Sequence, residues 1–266
     1  MHADYAHKDQ PPEISLTSER INAAAAYLAD AWKSGRKKDP LPADLKPRTI
    51  EESHAIQDAT LTALNAAVGG WKVSFNKQGT ITRAPILRSI MFSAPARVSA
   101  SSASIGIESE IGFRVLRSLP ARAEEYSRTE VADAVEALPI FELLDSRYAD
   151  PDAATPLERT ADFANNGGLV HGPALGGWRS IDFKALDVVL TIDGKEVCRK
   201  AGSYPGGDPL APAVVLVNTL RRSDGIAVGQ IITTGNWTGA NLVGPSSLAV
   251  AQFGGGFAPV TCAFAA

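Results

Sequence analysis

Ile107-Glu108-Ser109-Glu110-Ile111-Gly112-Phe113 sets two carboxylates two positions apart inside a stretch that otherwise reads as the middle of a β-strand. Side chains at i and i+2 of a strand leave from one face, with Cα atoms roughly 7 Å apart, so Glu108 and Glu110 must stand side by side. Two readings account for such a pair. The strand turns that face to water and both carboxylates are solvated, or a hard divalent cation offsets their repulsion through oxygen ligands. A third carboxylate bears on the choice. Pro139-Ile140-Phe141-Glu142-Leu143-Leu144 is a short, nearly continuous apolar run with Glu142 alone inside it. A buried, unpaired carboxylate either protonates or finds a partner, and a shared cation supplies one.

At 266 residues the chain has room for one large domain or two small ones, and 45% hydrophobic with 21% charged residues is ordinary globular composition. A formal charge of −3 offers no field for nucleic acid or an anionic membrane. The basic cluster at 33–38 is too short to change that and reads as a solvated helix end. Cys198 and Cys262 lie far apart with no metal-type spacing, so neither zinc nor a disulfide framework is expected, and a reducing cytoplasm fits best. No stretch has the length and apolarity of a membrane span or of a signal-peptide core. The expectation is a soluble, cytoplasmic protein.

Along the chain, Thr17 or Ser18 caps a helix over 21–32, with Glu19 in its first turn. Thr49-Ile50-Glu51-Glu52 reads as a capping box opening a second helix that runs to about residue 67 and stops at Gly69-Gly70. Trp71 to Phe75 alternates as a strand that carries Lys72, a snorkelling side chain or a functional cation. His54 reads as a packing or surface residue. A helix over 129–137, a hairpin turning at Asp193-Gly194, a helix from Asp208-Pro209 to Leu220 and a strand-rich tail follow. Gly254-Gly255-Gly256 lacks the setting of a dinucleotide fingerprint and reads as a hairpin turn. Helices in front and glycine-separated strands behind predict a β-rich α/β or α+β fold.

Several segments stand in a telling order: Glu51-Glu52-Ser53-His54-Ala55-Ile56-Gln57, Gly70-Trp71-Lys72-Val73, the Glu108/Glu110 strand, and Leu138 through Arg147 around Glu142. Ala161-Asp162, Gly207-Asp208-Pro209-Leu210, Gln230-Ile231-Ile232-Thr233-Thr234-Gly235 and Phe253-Gly254-Gly255 complete the series. In that order and spacing they resemble the fumarylacetoacetate hydrolase superfamily, in particular its 2-oxo-4-enoate (2-keto-4-pentenoate) hydratase and 4-oxalocrotonate decarboxylase branch. The resemblance implies an α/β (α+β) fold, a mixed β roll or sandwich of the fumarylacetoacetate hydrolase type with peripheral helices, assembled as a homo-oligomer. Residues 1–70 would form a helical part packed on a β-rich catalytic domain of residues 71–266. The implied activity is that of a divalent-metal-dependent lyase of small 2-oxo acids: a hydratase of a 2-hydroxy-2,4-dienoate, or a decarboxylase of a 2-oxo-dioate, in aromatic catabolism. By residue, Glu108, Glu110 and Glu142 match ligands of Mg²⁺ or Mn²⁺ and Lys72 matches an active-site lysine. Arg147, Asp162, Asn165, Ser203 and Trp237 fall on the substrate side, although Arg147 pairing with Asp145 or Asp162, and loop capping by Asp162 and Ser203, are alternative roles.

The chain departs from the family pattern at three places. Ala94 stands where an acid/base aspartate is expected, Phe163 and Asn165 replace an Asn and a Ser, and Ser74-Phe75-Asn76 replaces a glycine-containing segment. Retained ligands with altered proton-transfer partners leave two further readings: an acylpyruvate-type C–C hydrolase, or a catalytically altered binding subunit. A hydrolase needs a base beside its water, and His171, placed in a loop, reads as structural. Ser146 sits in no nucleophile elbow and reads as a hydrogen-bonding residue. Trp237, in a glycine-rich turn, narrows the pocket or covers it.

Overall fold

The alternation through the glutamate stretch produces a long strand, β5 (Ile105–Val115), paired antiparallel with β6 (Val135–Leu144). The computed structural model that shows this describes residues 16–75, 81–99, 105–201 and 207–265. Ser203 and most of the 99–104 linker lie outside the described residues. Among the described residues five α-helices stand around the strands: α1 (Ser18–Ser34), α2 (Ile50–Leu64), α3 (Arg128–Ala134), α4 (Pro156–Ala161) and α5 (Leu210–Leu220).

Among the described residues the strands form an eight-stranded mixed sheet and a five-stranded one. From one edge the larger sheet runs β2 (Ile81–Leu87), β1 (Val68–Phe75), β10 (Ile231–Thr233), β5, β6, β7 (Asn166–His171) and β3 (Met91–Ser93). A short β11 (Asn241–Val243) pairs with the start of β5. The smaller sheet runs β4 (Ala96–Ser99), β13 (Val260–Ala265), β12 (Leu248–Phe253), β8 (Val188–Ile192) and β9 (Lys195–Lys200). The β8–β9 turn at Asp193-Gly194 has positive φ at both residues, as a two-residue hairpin of matching twist requires.

Period-two alternation gives the large sheet two different faces. Ile107, Ile111 and Phe113 of β5 and Phe141 and Leu143 of β6 share one hydrophobic cluster with Val188, Leu190, Ala249, Ala251, Val260 and Phe264 of the smaller sheet. The opposite face carries a second cluster, Ile86, Leu138, Ile140, Leu169 and Ile231, and beside it the glutamates. Gly70 allows β1 to sit next to β10, because a Cβ there would lie 2.4 Å from the Ile231 carbonyl oxygen. That parallel pairing puts Lys72 abreast of Thr233.

Local expectations need five corrections, the first at the helix expected over 129–137, which ends at Ala134 because Val135, Glu136 and Ala137 already pair with β5. Thr49 caps α2 by accepting from the Glu52 N–H, but the Glu52 carboxylate accepts from Leu16 N at 2.8 Å and Arg48 N at 2.6 Å, so no reciprocal capping box forms. The helix ends at Leu64 on a left-handed Asn65, and Gly69-Gly70 already belongs to β1. His171 lies at the end of β7 rather than in a loop. The basic cluster is engaged: Lys33 donates to the Ala63 carbonyl at 2.8 Å, Lys37 pairs with Asp145 and Lys38 pairs with Asp30. Leu16, Ala24, Leu28, Leu41 and Ile56 share a small core with Tyr148, Ala154 and Ala161, which seats the two N-terminal helices on α4 and the loop before it.

Candidate metal centre

The β5–β6 register places Glu108 directly opposite Glu142, with Glu110 one pleat along on the same face. Like charges facing each other across a strand pair destabilise it unless something neutralises them. Glu108, Glu110 and Glu142 each present a carboxylate oxygen, all within 4.8 Å of one another. Glu110 and Glu142 are buried, at 1% and 2% exposure, and Glu108 is half-buried.

The segment at the end of β10 supplies the polar partners. Thr233 donates from Oγ1 to Glu142 Oε2 at 3.1 Å. The backbone N–H groups of Thr234 and Gly235 donate to Glu110 Oε2 at 3.0 and 3.1 Å. Asn236 donates from Nδ2 to Glu108 Oε1 at 2.9 Å. Each carboxylate is thus oriented by a different donor from one short stretch. Lys72 pairs with Glu142 Oε1 and also donates to the Ala164 carbonyl at 2.7 Å.

Burial, then the neighbouring Glu142 charge, pushes the Glu108 carboxyl up to about 7, with Lys72 and Asn236 opposing. Burial followed by the charges of Glu142 and Glu108 raises Glu110 well above the carboxylate range. A site that strains to take up protons in this way is one that a cation relieves. The three carboxylates, Lys72, Ser74, Thr82, Ala84, Ala164, Thr233 and Asn236 line a cavity of about 240 Å³.

Ala164 belongs to an unusual turn. Phe163, Ala164 and Asn165 follow one another with φ of 50°, 49° and 57°. The left-handed conformation costs a non-glycine residue about 1–2 kcal/mol. A buried ion pair anchors it. Arg147 donates from Nε to Asp162 Oδ1 at 2.6 Å and from its terminal nitrogens to the Asn166 carbonyl at 2.7 Å and the Asp162 carbonyl at 3.1 Å. Asp162 Oδ2 accepts from Ser146 Oγ at 3.0 Å and Arg147 N at 2.9 Å.

The structure therefore brings Lys72 to the three glutamates but not Arg147, Asp162, Asn165 or Trp237. Arg147 and Asp162 pair with each other away from the wall of this cavity, as their alternative, structural reading expects. Asn165 also stands off the wall, with its buried Oδ1 making no hydrogen bond. Trp237 neither narrows nor covers the cavity; its ring is buried edge-on against Phe253. Ala94 is remote too, its N–H bonded to the His171 carbonyl at 2.8 Å. Thr233, Asn236 and the Ala164 carbonyl were missed. The Gln230–Gly235 segment was visible in sequence, but nothing local showed that it folds back onto the glutamates.

Comparison with known proteins adds to this geometry. No family model matches the chain. A stretch of 128 residues, 47% of the chain, is 30% identical to 4-oxalocrotonate decarboxylase of Pseudomonas putida, of which it covers 48%. The chain thus spans about half the length of the curated relatives it matches. By structure, 95% of the chain superposes on all of the 4-oxalocrotonate decarboxylase from Pseudomonas putida G7, solved with magnesium and adipate, with a TM-score of 0.81 and 22% identity. A protein assigned to the fumarylacetoacetate hydrolase family from Yersinia pestis CO92 matches 76% of the chain, and 94% of its own, with a TM-score of 0.54 and 17% identity. The chain has the fold of the fumarylacetoacetate hydrolase superfamily. Within that fold, the similarity in both sequence and structure is to 4-oxalocrotonate decarboxylases.

Proposed function

We propose that the protein is a divalent-metal-dependent lyase of 2-oxo acids, with decarboxylation of a 2-oxo-dioate as its reaction and hydration of a 2-hydroxy-2,4-dienoate as the alternative within the same chemistry. The observation that carries this is the convergence of three carboxylates and one lysine on a single cavity. The names of the relatives favour decarboxylation over hydration.

The residues fit a metal. Three carboxylates against one ammonium leave an excess of two negative charges when all are ionised, the Arg83 charge on the same wall being paired with Asp58, and the donors are hard oxygens suited to Mg²⁺ or Mn²⁺. Glu108, Glu110 and Glu142 would hold the cation, which would supply Lewis-acid stabilisation of negative charge on the C2 oxygen of a 2-oxo acid. Thr233, Asn236 and the Thr234 and Gly235 N–H groups keep the carboxylate planes fixed, so their orientation need not be won on binding. Lys72 Nζ carries positive charge on the same wall and is the proton donor best placed for the substrate. No histidine lines the cavity among the described residues, which counts against a C–C hydrolase with a histidine-activated water.

The test is a metal titration followed by assays with and without Mg²⁺ against a 2-oxo-dioate such as 4-oxalocrotonate and against 2-hydroxypenta-2,4-dienoate. Saturable binding with release of carbon dioxide from the dioate supports the reading, and turnover of the dienoate alone selects the hydratase. Tight Mg²⁺ binding with no turnover of either acid would leave the binding-subunit reading. Absence of metal binding would sink the proposal.

A further inference from the structure

We propose that the buried Arg147–Asp162 pair and the left-handed turn between Asp162 and Asn166 form a positioning device for Lys72. The turn holds the ammonium on the Ala164 carbonyl, so that it stays at the cavity when a cation takes Glu142. The metal half of this inference rests on the function proposed above, while the placement of Lys72 stands on the geometry of the turn.

Three successive non-glycine residues with φ near 50° persist only where their surroundings over-determine them. Here the constraint is a clamp. The Arg147 guanidinium bonds the Asp162 carboxylate and carbonyl at one end of the turn and the Asn166 carbonyl at the other, so one side chain spans the segment. Phe163 drives its ring into a core beside Trp32, with centroids 5.6 Å apart, and the guanidinium lies 4.1 Å from the same indole. The middle carbonyl, that of Ala164, is left facing the cavity, where Lys72 Nζ meets it.

An ammonium group has three donors and no acceptor. With Glu142 as its sole fixed partner, Lys72 would compete with a cation for that carboxylate or swing away when the cation won. A second, neutral acceptor built into the backbone removes that dependence. Arg147 and Asp162 are positioning residues in this account, acting through Ala164 on Lys72, and they touch no substrate.

Two measurements test it on the full-length chain. The first is acetylation of lysines by N-hydroxysuccinimidyl acetate in metal-free protein, read by mass spectrometry. Asp162→Asn should raise the rate at Lys72 about fivefold, within the coupling expected of contacting groups, and leave the surface residues Lys184 and Lys195 unchanged. An unchanged rate at Lys72 overturns the proposal. If Asp162→Asn does not fold, Arg147→Lys carries the same measurement, because it keeps a cation beside Asp162 while losing the bond to Asn166.

The second measurement is a cycle in Mn²⁺ affinity. Asp162→Asn should weaken Mn²⁺ binding when Lys72 is present, since an ammonium released from the Ala164 carbonyl has only Glu142 left and competes with the cation for it, and should have no effect in Lys72→Met. Equal effects in both backgrounds would mean general disruption and refute the positioning role. A wild-type chain that binds no Mn²⁺ sinks the metal reading, and the acetylation rates still decide the placement of Lys72.

Discussion

Glu108 carries a carboxyl pushed up to about 7, so in the metal-free protein it keeps a proton that the unfolded chain gives up near the ordinary carboxylate value of 4.5. The folded state then binds more protons than the unfolded one between about pH 4.5 and 7, and stability from this group falls as pH rises through that window. His54 works in the opposite sense. Burial, with Arg83 second, lowers its imidazole to about 4, so its contribution is lost as pH falls from 6.5 toward 4. The clean observable is therefore a difference: without metal, Glu108→Gln should gain thermal stability relative to wild type as pH rises from 5 to 7.5, read as melting temperature. A constant difference would contradict the environment described for Glu108. Thr233→Val removes the donor to Glu142 Oε2. It should cost about 1 kcal/mol of folding stability and weaken Mg²⁺ binding several-fold, measured by denaturant titration and calorimetry.

Strand pairing explains why only part of this arrangement could be read in advance. β5 was legible because alternation puts Glu108 and Glu110 on one face whatever lies around them. Glu142 was legible because a charge in an apolar run demands compensation. The pairing of β1 with β10 has no such local signature: these strands are separated by most of the chain, and only close packing at Gly70 brings Lys72 beside Thr233. Gly70→Ala should therefore do more than weaken a strand. Its Cβ would meet the Ile231 carbonyl, so a loss of about 2–4 kcal/mol is expected, with weaker metal binding because the Thr233–Asn236 donors move with β10. Full retention of metal affinity in a folded Gly70→Ala variant would separate the two strands' roles. The α2 cap shows the same limit: Thr49 and Glu52 have capping-box spacing, but Leu16 and Arg48 offer the Glu52 carboxylate other donors.

Across the molecule, the large sheet commits one face to the sandwich core and leaves the other for the site, so the carboxylate repulsion is borne by the same sheet that holds the fold together. A ligand that binds only the folded state stabilises it, by about 2.7 kcal/mol at a hundredfold excess over the dissociation constant. Saturating Mg²⁺ should accordingly raise the melting temperature by about 5 °C, and Glu142→Gln should abolish most of that shift. Among the described residues no helix is long and apolar enough to cross a membrane. The Glu108/Glu110 pair and its strand setting follow from residue types and short-range periodicity, because side-chain direction along a strand is set by the backbone alone, and the resemblance that adds Glu142 to them rests on the order of several segments along the chain. Which residues hold those carboxylates and which leave the site was settled by packing. Arg147 and Asp162 look like substrate ligands until a buried turn engages all three guanidinium nitrogens, while Thr233 and Asn236 gain their roles when the end of β10 closes over β5. Such pairings depend on contacts between segments far apart in the chain, and no local pattern encodes them.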